Sequence, residues 1–241
     1  MLYTVLKQQA VAPGVYHLRL EGDTRAITRP GQFVQIQLPG FYLRRPISVC
    51  DWQSGETGTL DLIYKVVGHG TEAMTALAPG ARLDVLPGLG NGFDAEACPA
   101  NALLVGGGVG TPPMYGLCKA LVGLDKAPRV ILGFNTAAEI FWQREFEALG
   151  VSVTVTTADG SAGMRGFVTA AMSEREAYVC ACGPKPMLQA VYDACEHGQF
   201  SLEERMACGF GVCMGCSIQT ASGPRRVCKD GPVFLKEDLL W

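Results

Sequence analysis

Four cysteines near the end of the chain constrain its fold more than any other feature. Cys208, Cys213 and Cys216 stand in the spacing C-x4-C-x2-C, and Cys228 follows after eleven intervening residues. So many thiols in one short glycine-bearing segment must wrap around something or be cross-linked. In a reducing compartment clustered cysteines act as metal ligands or catalytic groups rather than as disulfides. Zinc sites pair short C-x2-C knuckles on either side of a longer spacer. Three close cysteines with a lone distant fourth match instead the plant-type 2Fe–2S spacing. Gly209, Gly211 and Gly215 let such a loop turn tightly and aim backbone N–H groups at sulfur, which tunes a cluster's potential. Zinc remains the alternative. "SLEE", with Ser201 and Glu204, reads as a capping box opening a short helix before the loop.

The rest of the composition sets limits. Of 241 residues, 48% are hydrophobic and 18% charged, which suits a filled globular core. A net charge of −3 gives no basis for nucleic-acid binding. No apolar run reaches the roughly 18 residues of a membrane span, so no membrane association is expected. The N-terminus lacks the basic and apolar regions of a signal peptide, and a soluble cytoplasmic protein is expected. The six remaining cysteines, Cys50, Cys98, Cys118, Cys180, Cys182 and Cys195, sit mostly in apolar surroundings and read as small buried hydrophobes.

Along the chain the periodicity changes twice. Residues 1–98 read as short strands between turn signals, among them "QFVQIQL" and "TLDLIYKVV", and predict a small antiparallel β-barrel. Residues 99–199 alternate strands ("ALLVG", "RVILGF", "VSVTVT", "AYVCAC") with helical stretches. One helix begins after a glycine loop, "AAEIFWQREFEALG" closes on Gly150, and "GPKPMLQAVYDACEHG" ends at Gly198. That alternation predicts a parallel sheet covered on both faces, a nucleotide-binding architecture. Residues 200–241 form a small cysteine-bearing appendage. The class is α+β, multidomain.

Three further stretches bear on ligands. "GGGVGTPP" (106–113) lies between a strand and a helix, where backbone amides and a helix start can hold a pyrophosphate. It departs from strict G-x-G-x-x-G, and a plain tight turn is the other reading. In "LRRPISV" (43–49), Arg45 offers a fork for phosphate and Ser48 a hydroxyl, against an ordinary surface turn. "CGPKPML" (182–188) ends a parallel strand at the edge where ligands bind such sheets, or merely turns the chain into its helix. His17, His69 and His197 show no metal spacing.

Taken together the motifs resemble the ferredoxin-NADP reductase superfamily. Within it, "RRPIS", "GNGF", "GGGVGTPPMY", "CGPKPML", "EERMACGFGVCMGC" and "VCKDGPVF" resemble, in order and spacing, the electron-transfer subunits of dihydroorotate dehydrogenase B. The resemblance spans essentially the whole chain. It implies FAD held by Arg45, Pro46, Ile47, Ser48, Ile63, Tyr64, Lys65, Gly70 and Thr71, and a 2Fe–2S cluster on Cys208, Cys213, Cys216 and Cys228. NAD would meet Gly107, Gly108, Gly110, Thr111, Cys182, Gly183 and Pro184. Ile47 stands where the wider superfamily often has an aromatic residue over the flavin. Ser217, Ile218 and Gln219 form a more polar stretch than expected after the close cysteines.

The resemblance further implies an oxidoreductase of pyrimidine biosynthesis. An FMN-containing catalytic subunit would oxidise dihydroorotate, and this chain would relay the electrons to NAD in a heterotetramer. Two rival functions are a flavin and iron–sulfur subunit of a sulfide dehydrogenase or an NADH-dependent ferredoxin:NADP transhydrogenase, and, from another class, a zinc-binding scaffold.

Overall fold

The computed structural model describes all residues, Met1 to Trp241. The first strands, β1 (Leu2–Ala12), β2 (Val15–Gly22), β3 (Phe33–Gln37), β4 (Arg45–Trp52) and β5 (Gly58–Lys65), are followed by the short helix α1 (His69–Met74) and β6 (Arg82–Leu89). They close into an antiparallel barrel in the order β1-β2-β5-β4-β3-β6. Alternation along β3 sends Val34 and Ile36 into a core shared with Leu18, Leu20, Leu60 and Leu62. Burying each such side chain is worth about 1.5–3 kcal/mol.

The second unit runs β7 (Leu103–Gly107), α2 (Thr111–Gly123), β8 (Arg129–Phe134), α3 (Gln143–Glu147), β9 (Ser152–Thr157), β10 (Met164–Arg165), β11 (Glu176–Cys182), α4 (Lys185–Asp193) and β12 (Cys195–Ser201). After these come β13 (Ser217–Thr220), β14 (Gly223–Arg226) and β15 (Val233–Leu235). The sheet order is β10-β9-β8-β7-β11-β12-β15, parallel except for the last strand, which pairs antiparallel with β12. Pro112 and Pro113 occupy the first turn of α2, where a missing N–H leaves no hydrogen bond unmade.

Three local expectations differ from the structure. The helix expected to reach Gly198 stops at Asp193, and Cys195–Ser201 is a strand parallel to β11. Ser201 pairs in register with Cys182 on one side and Val233 on the other, so it opens no helix. The stretch before Gly150 is broken at Trp142 (φ 64), leaving a 3-10 turn and the five-residue α3. In each case sheet pairing or a packed aromatic outweighs a local helical preference worth only tenths of a kcal/mol per residue, roughly 0–0.7. The expected boundary between residues 199 and 200 accordingly falls inside β12.

The units share packing. Val15, Cys50 and Ile63 of the barrel join Leu104, Met114, Leu117 and Leu132 in one core. The six cysteines outside the C-terminal group are all buried. Asn91 of "GNGF" stitches the barrel exit to the C-terminal segment: its N–H donates to the Gly231 carbonyl (2.7 Å) and its Nδ2 to the Val233 carbonyl (2.7 Å). The Val233 N–H donates back to Asn91 Oδ1 at 3.1 Å.

Candidate functional site

Two clefts open between the barrel and the sheet. The smaller, about 230 Å³, is walled on the barrel side by Phe33, Pro46, Ile47, Ser48, Ile63, Tyr64, Lys65 and Thr71, and opposite by Leu202, Glu203, Met206 and Pro232. Most of the residues expected around a flavin thus share one cavity. Arg45 and Gly70 lie beside it rather than on its lining. The Arg45 guanidinium rests against Gly70, where a Cβ would come within 1.8 Å of Nε, and it lies 4.8 Å from the Phe41 ring centroid. Thr71 Oγ1 accepts the N–H groups of Val67 (2.9 Å) and Gly68 (3.2 Å), which fixes the turn into α1. Tyr64 receives a bond from Gln8 Nε2 at 2.6 Å; burial pushes its phenol up to about 12.

The larger cleft, about 610 Å³, lies at the carboxyl edge of the parallel strands, where sheets of this kind bind ligands. Gly107, Gly108 and Gly110 line it together with the adjoining Gly183 and Pro184, as do Phe134, Asn135, Glu139 and Thr156. Thr111 and Cys182 stand back from the lining, each almost wholly buried. Burial, then the charge of Glu203, pushes the Cys182 thiol up to about 12. Gly110 is required by a close approach: a Cβ there would lie 2.1 Å from the Cys182 carbonyl oxygen. Thr156 lines the cleft, and its buried hydroxyl has no protein partner. Glu139 Oε2 accepts Asn135 Nδ2 at 2.9 Å, which holds a carboxylate at the end of β8.

Val109, Lys65 and Glu203 line both clefts, so the cavities meet there. Glu203 was not among the expected ligand residues. Its position two residues past the end of β12 is the signal that would have found it, once β12 is known to be a strand. Desolvation in the cleft raises its carboxyl above the usual range, although the residue as a whole is exposed.

The cysteine segment packs on the same barrel wall. Cys216 and Cys228 are buried beside Phe33, Val227 and Phe234, Cys208 is half-buried and Cys213 exposed. The thiols lie as two pairs. Cys208 Sγ accepts the N–H groups of Val212 (3.3 Å) and Cys213 (3.5 Å), and Cys216 Sγ accepts that of Cys228 (3.4 Å). Against a desolvation that raises it, the N–H groups of Cys213, Phe210 and Val212 bring the Cys208 thiol down to about 6. Burial and the adjacent Cys216 thiol push Cys228 up to about 12. No three His, Cys, Asp or Glu side chains converge as a closed set. Arg226 braces the loop: Nη1 donates to the Gly211 carbonyl (2.8 Å) while its guanidinium pairs with Asp230 (3.1 Å). Around the cysteines Phe210, Val212 and Met214 are 53%, 73% and 53% exposed, whereas Met206 packs inward.

Comparison with known proteins agrees with this arrangement. Residues 203–240 match the family described as the iron–sulfur cluster binding domain of dihydroorotate dehydrogenase B, and residues 104–193 match the oxidoreductase NAD-binding domain. The dihydroorotate dehydrogenase B (NAD(+)) electron transfer subunit of Listeria monocytogenes serotype 4a is 40% identical over 98% of this chain and 96% of its own length. That of Geobacillus thermodenitrificans is 42% identical over 96% and 95%. The NADH-dependent reduced ferredoxin-NADP oxidoreductase structure superposes with a TM-score of 0.89 at 32% identity, covering all of this chain and 90% of that one. A ferredoxin reductase of carbazole 1,9a-dioxygenase (TM-score 0.63, 23% identity, 79% of this chain and 63% of that one) shares the fold. With an iron–sulfur module stacked on a barrel and a parallel nucleotide sheet, and full-length relatives at this identity, the chain belongs to the dihydroorotate dehydrogenase B electron transfer subunits.

Proposed function

We propose that this chain is the NAD-facing component of a complex whose FMN-containing catalytic subunit oxidises dihydroorotate. The observation that carries the reading is the meeting of two clefts at Val109, Lys65 and Glu203, with the cysteine loop on the same wall. A flavin, when bound, exchanges a hydride, two electrons at once, with a nicotinamide and single electrons with a 2Fe–2S cluster, and so belongs between them.

The residues present fit these groups. An apolar slot lined by Ile47, Ile63 and Tyr64 together with Ser48 suits a flavin ring, and Thr71 on its wall, with Arg45 and Gly70 beside it, suits the phosphates. Pro46 and Lys65 complete that set. Gly107, Gly108, Gly110, Thr111, Cys182, Gly183 and Pro184 build the dinucleotide side, where the free Thr156 hydroxyl is a further donor. Three close cysteines in C-x4-C-x2-C spacing with a lone distant fourth suit iron–sulfur over zinc, and their sulfurs already accept backbone N–H groups, so Cys208, Cys213, Cys216 and Cys228 would hold the 2Fe–2S cluster. The three functional units are 1–98, 99–199 and 200–241, although β12 spans the last boundary.

The chain supplies no base for dihydroorotate, and its single-electron partner must dock from outside. Exposed Phe210, Val212 and Met214 around the cysteine loop suit an interface core. The catalytic subunit would cover them in a heterotetramer of two of each chain. No helix is long and apolar enough to cross a membrane, and a cytoplasmic enzyme is the natural setting.

The experiment is reconstitution. The isolated chain should reduce a dye with NADH and leave dihydroorotate untouched, and adding the FMN-bearing subunit should restore dihydroorotate-dependent NAD reduction. Dihydroorotate oxidation by the isolated chain would refute the division of labour. A colourless protein containing zinc would refute the cofactors.

A further inference from the structure

The barrel wall beneath the cysteine loop carries a polar side chain with nothing to bond. Gln35 lies mid-way along β3, where Val34 and Ile36 point into the barrel and alternation turns Phe33 and Gln35 outward. Phe33 packs among Cys216, Cys228 and Phe234. Gln35 occupies the next place on that face, is 0% exposed, and has no hydrogen-bond partner at either Nε2 or Oε1. Leaving a buried amide unpaired costs about 1–3 kcal/mol. An apolar residue would fill the place without that cost, so a glutamine there implies a partner outside the polypeptide.

The amide is aimed at the cysteine loop. A Cβ on Gly209 would lie 2.2 Å from Gln35 Nε2 and 2.9 Å from Cδ, and Gly209 directly follows Cys208. With φ +78, Gly209 turns the loop where only glycine leaves room for the amide. The flavin cleft is the less favoured partner. Pro46, which pairs with Gln35 in register, lines that cleft, and Gln35 does not.

We propose that Gln35 is a positioning residue for the iron–sulfur cluster, its Nε2–H group donating to a cluster sulfur from the flavin-bearing barrel. The proposal rests on the reading of Cys208, Cys213, Cys216 and Cys228 as 2Fe–2S ligands. A donor to sulfur stabilises the more negative, reduced state and so raises the reduction potential. Cys208 already draws on Val212 and Cys213 of its own loop. Gln35 adds a donor from another unit, which ties the cluster's potential to its seating on the wall that also faces the flavin.

The test uses the assembled complex with Gln35→Leu and Gln35→Met, each loaded with iron and titrated potentiometrically by EPR. Iron content and the flavin midpoint should stay at native values. The reduced-to-oxidised ratio of the cluster at a fixed potential should fall about tenfold, about 59 mV for one electron. Gln35→His, which keeps a donor, should recover part of the shift. An unchanged cluster midpoint in both apolar variants overturns the proposal, as does a shift of the flavin midpoint alone. If neither apolar variant retains iron, the native complex labelled with nitrogen-15 in glutamine side chains decides. A side-chain amide coupling to the reduced cluster supports the proposal, and its absence overturns it. Absence of any 2Fe–2S signal in the native complex would instead sink the ligand reading.

Discussion

Gly110→Ala isolates one contact at the dinucleotide cleft. Gly110 has φ −80 and ψ −11, so alanine meets no backbone strain. At a neutral site the change would stabilise the fold by about 0.4–1 kcal/mol through the unfolded chain. Here the new Cβ would lie 2.1 Å from the Cys182 carbonyl oxygen, 2.3 Å from its carbon and 2.6 Å from the Gly183 nitrogen, all backbone and all inside the 3.0 Å such contacts require. The start of α2 and the turn between β11 and α4 must therefore part by roughly 1 Å, an overpacking that costs about 1–3 kcal/mol. Both segments wall the larger cleft, so the displacement falls on the dinucleotide. At about 1.4 kcal/mol per factor of ten, NADH affinity should weaken by roughly 5- to 150-fold. The assay is NADH titration of flavin reduction in stopped flow, alongside FAD content and thermal unfolding. Full FAD with NADH affinity within twofold of native would refute the reasoning.

Other perturbations separate the remaining parts. Cys213→Ser should lose the cluster yet keep FAD and NADH-dependent dye reduction, because none of the four cysteines lines the flavin cleft; a full 2Fe–2S EPR signal on reduction would contradict the ligand set. NADH should exceed NADPH by at least about tenfold in kcat/KM, since Asn135 and Glu139 line the cleft at the end of β8 where a 2′-phosphate needs a cation; equal efficiencies would refute this. Glu203→Gln tests the raised carboxyl. A folded-state pKa above the unfolded one means the native protein holds the extra proton, so native stability falls as pH rises between the two values. The glutamine variant should lack that fall in thermal melts across the same pH range, and an identical pH profile would argue against the desolvated carboxylate.

Much of this protein was legible before its structure. Alternation at Val34, Ile36 and Leu38 predicts a barrel strand, and the strand–glycine–helix pattern from Leu103 to Gly123 predicts a nucleotide sheet, because both depend on neighbours in sequence. The burial of six scattered cysteines followed from their apolar surroundings. The cysteine spacing likewise favoured 2Fe–2S over zinc for the C-terminal segment, since cysteine count and loop length are local properties.

What escaped depends on pairing between distant segments. Ser201 is a strand residue because Cys182 and Val233 bond on either side, and no pattern around "SLEE" reports those partners. Once β12 extends to Ser201, Glu203 is carried to the junction of the clefts and Cys216 and Cys228 are seated against Phe33. Gln35 reads in the sequence as a polar residue on the outer face of a barrel strand, which normally means solvent. Only the tertiary structure buries it against Gly209, because that contact joins residues far apart in the chain whose approach is decided by the docking of the C-terminal module on the barrel.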